Sequence, residues 1–357
     1  MNSSTKIFLA LTLALFLVFG CTQQQPQPKP LAKYNAGYKL IEFEYTKPDG
    51  TKKMLATAIW YPTSDAQKNY NYSTGKDESK ILGGQSIGLA AINGKIAQGK
   101  FPLIVFSHGY TGCGIQSIFL TEEMARNGYI VVAPDHEDAL CSSKVGGKRQ
   151  LETFDLGIFG KPETWDDSTF GSRPFDIKAL LDEMQRQNKA GDLGFGGKID
   201  EAKTGIMGHS LGGYTTLALS GANDSWKDSR IKAAVAFAPY TQPFLLHDTI
   251  RNIRVPVMIQ GGTKDSTITP FLNDAYKELG GQKFLLILSD AGHMQWANIS
   301  CVLHASAQDC MEKNQKINAI GYYTTAFFDK YFKASPDAAK KLETKKPALE
   351  SYQNEFD

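Results

Sequence analysis

An α/β fold with a mostly parallel central sheet, an antiparallel hairpin at its start and helices on both faces is what this sequence predicts. Three observations predict it. Short apolar runs of strand length recur from residue 101 onward, stretches with helical spacing separate them, and two alternating segments joined by a turn precede them all. In order, residues 38–45 and 54–61 form the hairpin, because Lys47-Pro48-Asp49-Gly50 between them is turn chemistry. Residues 63–100 read as a polar, glycine-rich connection. The run 102–106 is short and wholly apolar, as a strand buried on both faces must be. Residues 116–127 have helical spacing and stop at Gly128; the strand 129–133 follows and Pro134 ends it. A polar insertion, 137–171, which reads equally as a cap over a site or as an ornamental loop, precedes a helix at 174–187 whose Ile177, Leu180, Leu181 and Met184 share one face. Strand 204–207 runs straight into Gly208-His209-Ser210, with helix 211–220 behind it. Strands at 231–237, 255–260 and 284–288 and a closing helix at 319–332 complete the alternation. No internal repeat is evident.

The first twenty residues are read as a targeting segment. Lys6 precedes an apolar run, 7–19, that is shorter than the roughly 20 residues a spanning helix needs. Its end, Leu17-Val18-Phe19-Gly20-Cys21, resembles the lipobox of prokaryotic lipoproteins, although Phe19 stands where a small residue is usual. That resemblance implies cleavage before Cys21, lipidation of the cysteine and a place at the cell envelope; ordinary secretion and an uncleaved anchor are the alternatives. Residues 22–30 (TQQQPQPKP) have nothing to bury, so 21–31 reads as a tether, reaching roughly 30 Å at about 3.1 Å per residue. This leaves 32–335 as one α/β domain and 336–357 as a polar tail. Without Lys6 the chain carries 38 basic residues (39 less 1) against 37 acidic ones and no long basic run. Nucleic acid is therefore not expected as a partner, membrane contact is expected through the anchor alone, and the body is expected to be a monomer.

Five cysteines become four once Cys21 is given to lipid, and an exported chain lives where disulfides persist. Of the three possible connectivities, Cys113 with Cys141 and Cys301 with Cys310 is expected. The second pair is close in sequence and the first lies on loops after successive strands. Free buried thiols are the alternative.

Gly-x-Ser-x-Gly occurs twice, at Gly208-His209-Ser210-Leu211-Gly212 and at Gly84-Gln85-Ser86-Ile87-Gly88. Only the first follows a strand and opens a helix, where a sharp turn thrusts the hydroxyl out of the sheet's end. Ser86 follows too brief an apolar run and is read as a chance match. A serine hydroxyl is a weak nucleophile until a base takes its proton, and the base needs an acid to hold its tautomer. His293, after strand 284–288, and Asp265, after strand 255–260, supply both. The order is Ser, Asp, His, each at the carboxyl end of its strand, where open α/β sheets place their sites. Negative charge developing on a carbonyl oxygen calls for two preset N–H donors. The backbones of Leu211 and of Tyr110, in the loop Ser107-His108-Gly109-Tyr110, are the candidates. Taken singly, Ser210 and Asp265 read as helix caps; order and placement together favour a triad.

Asp290 is the reserve acid, too near His293 in sequence to approach it from another strand. His108, His136 and His209 read as structural or turn residues. Tyr110, Tyr240 and Trp296 follow strand ends and are expected to touch substrate; Phe244 is divided evenly between pocket and core, and Tyr214 is expected to be buried. No metal-ligand spacing and no phosphate-binding glycine loop occurs, so neither metal nor cofactor is expected.

Six segments together resemble one superfamily: IWYP at 59–62, FPLIVFSHGYTG at 101–112, NGYIVVAPDHED at 127–138, GHSLGGYTTLALSGA at 208–222, VPVMIQGGTKDSTITP at 255–270 and DAGH at 290–293. It is the α/β-hydrolases, in the branch of dienelactone-hydrolase-like proteins, cutinase-like polyester hydrolases and platelet-activating-factor acetylhydrolases. The likeness covers about residues 38–333. It implies Ser210 as nucleophile, Asp265 and His293 as its partners, and Tyr110 with Leu211 as oxyanion donors. Serine speaks against dienelactone chemistry, which uses cysteine. Ala238-Pro239-Tyr240 offers no carboxylate where the acetylhydrolases carry their acid, which favours the cutinase-like arrangement. The expectation is an exported, lipid-tethered serine esterase acting on small, lipid or polymeric esters. A non-catalytic surface lipoprotein and a peptidase of the same fold are its rivals.

Overall fold

The computed structural model describes residues 33–76, 87–145 and 155–355. The targeting segment at 1–20, Cys21, the rest of the tether and Ser86 lie outside the described residues, as do 146–154 of the insertion.

Strands β1 (Asn35–Thr46) and β2 (Lys52–Thr63) make the expected hairpin, antiparallel from Asn35 opposite Thr63 to Thr46 opposite Lys52. The connection read as irregular holds two more strands, β3 (Lys68–Asn71) and β4 (Ile87–Ile92), paired with each other antiparallel. Their shortness and the glycine-rich sequence between and after them hid them. The alternation then runs β5 (Phe101–Ser107), α1 (Ile118–Arg126), β6 (Ile130–Pro134), α2 (Ser172–Ala190), β7 (Ile199–His209), α3 (Leu211–Leu217) and β8 (Ile231–Phe237). It continues through α4 (Gln242–Leu246), β9 (Val257–Gly262), α5 (Thr269–Glu278), β10 (Lys283–Leu288), α6 (Ala307–Lys313) and α7 (Gln315–Lys333) to α8 (Pro336–Glu343) and β11 (Leu349–Glu355).

The eleven strands among the described residues share one sheet, in the order β11-β10-β9-β8-β7-β5-β6-β2-β1-β4-β3. From β6 to β10 every pairing is parallel, and every residue of β5 and β6 is buried. Each large apolar side chain so enclosed contributes about 1.5–3 kcal/mol, which is why this central run tolerates no polar alternation. Register does the rest. Ser107 lies opposite Gly208, His209 opposite Phe237 and Leu288 opposite Gly262, so β5, β7, β8, β9 and β10 all end along one rim.

Of the stretch 336–357, expected to be a polar tail outside the domain, the described residues 336–355 instead belong to the body. Ala338 and Leu342, four apart on α8, are buried, and β11 pairs antiparallel with β10. The high charge of the segment masked the few apolar residues that dock it.

Both expected disulfides form, each with a Cα–Cα separation of 5.4 Å. Cys113–Cys141 ties the loop after β5 to the loop after β6, and Cys301–Cys310 ties the segment after β10 to α6. Two such bonds fit an oxidising, extracytoplasmic environment. Among the described residues, no helix is long and apolar enough to cross a membrane.

Candidate active site

At the end of β7 the chain turns sharply, and Ser210 holds φ 56° and ψ −116°, a backbone conformation that a residue with a side chain rarely adopts. Two glycines let the turn close. A Cβ at Gly208 would strike the Gly212 carbonyl, and one at Gly212 would strike the Ser107 carbonyl. The Ser210 N–H is held by the Phe237 carbonyl at 2.9 Å, which fixes the turn against β8.

The structure brings the three distant residues together. His293 Nε2 lies 2.9 Å from Ser210 Oγ, and His293 Nδ1 lies 2.6 Å from Asp265 Oδ2. The carboxylate can only accept, so Nδ1 carries the proton and Nε2 is free to accept from the hydroxyl. Asp265 Oδ1 accepts from the Thr267 hydroxyl at 2.9 Å and from the Ile268 N–H at 3.2 Å. Burial works against its charge, but the bonds and charge of His293, with these two donors, hold its pKa below the usual carboxylate range. Asp290 plays no part: it is exposed and pairs with Lys264 at 2.9 Å.

Ser210 and His293 open on a cleft of about 670 Å³. Tyr110 and Tyr240, two of the three expected substrate contacts, line it. The Tyr240 ring is buried, however, and its hydroxyl is spent on the Phe159 carbonyl at 2.9 Å. Trp296 does not line it. Only 1% exposed, it donates from Nε1 to Gln260 Oε1 at 3.1 Å inside the core. His293–Trp296 is a single 3₁₀ turn whose last residue, Trp296, is already drawn into the core, while Met294, half exposed, takes the place at the cleft. Phe244 is core, stacked on the buried Tyr214 at 4.4 Å.

One contribution was left open by the sequence reading and two escaped it. The described part of the insertion forms a wall of the cleft through Leu156 and Phe159, and its Phe159 and Trp165 pack edge-on or tilted against Tyr240 at 5.2 and 4.7 Å. Thr267 and Ile268, just after Asp265, reach the cleft floor. Gln116 lines it too, because α1 starts at Ile118 and leaves the amide in the loop; helical spacing had absorbed it.

Beneath the loop after β5 lies a buried polar network. Arg173, at the start of α2, donates to both carboxylate oxygens of Asp138 at 3.0 and 2.7 Å, and to the carbonyls of His108 and Gly109 at 2.8 and 3.3 Å. The Thr111 N–H donates to Asp138 at 3.3 Å. His136 bridges Asp176 at 2.9 Å and Ser107 at 3.0 Å, and the His136 N–H donates to His108 Nε2 at 3.0 Å. The flanking histidines are thus structural, as expected.

His108, His136 and His209 carry pKa values lowered first by burial. The Arg173 charge adds to this at His108 and His136, and the His293 charge at His209, which is pushed down to about 3. In an unfolded chain each titrates near pH 6.5. With the folded pKa below the unfolded one, the unfolded state binds more protons in between. The stability each contributes is complete above about pH 6.5 and drains as pH falls towards the folded pKa, at up to about 1.4 kcal/mol per pH unit per histidine. Urea midpoints are expected to fall steadily from pH 7 to pH 4, and His209→Gln to flatten that slope by one residue's share. An unchanged slope in His209→Gln would contradict the assignment.

Among the described residues no group of three or more His, Cys, Asp or Glu could hold a metal ion. Compared with known proteins, the chain is 26% identical to cutinase est1 of Thermobifida alba over 199 residues, covering 56% of this chain and 54% of that one. It is 25% identical to the platelet-activating factor acetylhydrolase of Cavia porcellus over 217 residues, covering 52% and 47%. The chain thus spans about half the length of these curated relatives. A ferulic acid esterase from Streptomyces cinnamoneus superposes with a TM-score of 0.62 at 18% identity, covering 92% of this chain and 98% of that one. With the sheet order above, that match assigns the α/β-hydrolase fold. The model of the PET hydrolase-like family matches residues 86–301, a span that encloses Tyr110, Ser210, Asp265 and His293 and takes in more than half of the chain. The chain belongs to the PET hydrolase-like family.

Proposed function

We propose that the chain is a serine esterase, exported and tethered through lipidated Cys21, that hydrolyses carboxylic esters through an acyl-enzyme. The observation that carries this reading is the hydrogen-bonded line from Ser210 through His293 to Asp265 at the mouth of the cleft. Ser210 Oγ attacks the ester carbonyl as its proton passes to His293 Nε2. Asp265 keeps the ring in the tautomer that can accept it and stabilises the imidazolium that results. The carbonyl oxygen, now an oxyanion, takes hydrogen bonds from the backbone N–H groups of Tyr110 and Leu211, each worth roughly 10² to 10³ in rate. The imidazolium then gives its proton to the leaving alkoxide. Water, deprotonated by the same imidazole, attacks the acyl-enzyme and frees Ser210 as the acid departs.

The lining of the cleft supports a substrate class. Leu156, Phe159, Ile268 and Met294 give it an apolar lining suited to an aliphatic or aromatic acyl group. The acid after β9 rather than after β8 supports the cutinase-like arrangement, and the family match supports polymeric aromatic esters beside small ones. A fluorophosphonate probe is expected to label the protein at Ser210 with loss of esterase activity. A panel from acetyl to palmitoyl esters, with a phospholipid and an aromatic polyester, is expected to show turnover of the esters and none of matched amides. Failure to label with the fold intact would leave a binding protein, and faster amide cleavage a peptidase.

A further inference from the structure

Three loops meet at the cleft: the one after β5, the turn at Ser210 and the turn at His293. A single run of hydrogen bonds crosses all three. Gln116 Oε1 lies 2.8 Å from the Gly109 N, Gln116 Nε2 lies 3.0 Å from His209 Nδ1, and His209 Nε2 lies 2.8 Å from the His293 carbonyl oxygen. Both ends of the run are backbone groups with one sense only: an N–H donates and a carbonyl accepts. The direction of every link follows. Gln116 must present its oxygen to Gly109 and its NH₂ to His209. His209 must offer a lone pair at Nδ1 and carry its proton on Nε2. A flipped amide would set NH₂ against N–H, and the other tautomer would set N–H against NH₂ at one end and a bare nitrogen against a carbonyl at the other.

We propose that Gln116 is a positioning residue for the reaction: through His209 it fixes the height of the Gly109–Tyr110 loop over Ser210 and its register with the His293 turn. The inference rests on the serine esterase reading, and it adds the device that aims the oxyanion donor. Because the Gly109 N–H is spent on Gln116, the donor role passes to the next N–H along, that of Tyr110.

The surroundings are built for this amide. A Cβ at Gly109 would sit 3.0 Å from His209 Nδ1 and 3.3 Å from Gln116 Oε1, and one at Gly112 would run into the same oxygen. Burial keeps His209 neutral, as its two opposite hydrogen-bonding roles require. The backbone at Gln116 is seated independently of its side chain. Its carbonyl accepts from the Asn298 N–H at 2.8 Å, and Asn298 also grips Ile115 O at 2.6 Å and Ile118 N at 2.8 Å. Arg173 holds the same loop from below by its carbonyls. The amide at 116 thus acts on the N–H side of a loop already anchored, where a small rotation would move the Tyr110 N–H without unfolding anything.

The test joins kinetics with a tautomer measurement. Gln116→Leu is expected to lower kcat on p-nitrophenyl butyrate by about 10- to 100-fold, part of the effect of losing one donor. KM should stay within about twofold and the thermal midpoint close to that of the parent. Gln116→Glu keeps the acceptor for Gly109 but can only accept from His209, so it is expected to be intermediate in kcat. In long-range ¹H–¹⁵N spectra His209 should be protonated at Nε2 alone in the parent and at Nδ1 in Gln116→Glu. Full kcat in Gln116→Leu, or a parent His209 protonated at Nδ1, would overturn the proposal while an active, fluorophosphonate-labelled parent left the esterase reading standing. A parent that neither labels nor turns over esters would overturn both.

Discussion

Ser210→Ala is expected to lower kcat on p-nitrophenyl butyrate by about 10⁴- to 10⁶-fold, with KM little changed, because the variant loses covalent catalysis but keeps the cleft and its N–H donors. The fold should survive. Ser210 carries its strain in the backbone, and the glycines that permit the turn are untouched. Ser86→Ala, the control at the other Gly-x-Ser-x-Gly copy, is expected to keep activity within about twofold. Comparable losses in the two variants would remove the basis for choosing the serine at the end of β7. Full activity in Ser210→Ala would remove the acyl-enzyme mechanism altogether.

Replacement of Arg173 is expected to have the largest effect on stability. Its guanidinium is fully buried and grips Asp138 with two hydrogen bonds while capping two carbonyls of the loop after β5. Burial opposes the Asp138 charge, yet the Arg173 guanidinium holds its carboxyl well below the usual range. Arg173→Leu would leave that carboxylate buried without its counterion, a loss of about 3–5 kcal/mol. Arg173→Lys would keep a charge but lose the planar fork, and should recover only part. Removing both charges, as Arg173→Leu with Asp138→Leu, is expected to restore much of the stability, since the cost lies in the unpaired ion. Urea unfolding checks all three. A double variant no more stable than Arg173→Leu alone would show that the carbonyl contacts, not the ion pair, carry the effect.

The sequence exposed the parts of this molecule that obey one-dimensional rules. β8 starts and ends where its apolar run does, and Ser210, Asp265 and His293 stood out because each follows a strand whose end is marked by glycine or a polar turn. What stayed hidden depends on contacts between segments distant in sequence. Arg173 reads as an ordinary charge at a helix start until Asp138 is placed under it. Gln116 reads as the first residue of a helix that in fact begins two positions later. Trp296 was misplaced because proximity to His293 in sequence does not say which way a 3₁₀ turn faces. β3 and β11 were missed because edge strands need little apolar sequence; the sheet beside them supplies the partner.

The last of these strands has a practical corollary. β10, which leads into the His293 turn, would be the outermost strand of the sheet if β11 were absent, and its row of backbone donors and acceptors would face water. A truncation at residue 335, attractive if the charged segment is taken for a dispensable appendage, would create a sticky border where two molecules can zip together. Expression vectors for this protein should therefore retain the chain through Glu355, and fusion partners at that end need a spacer beyond it.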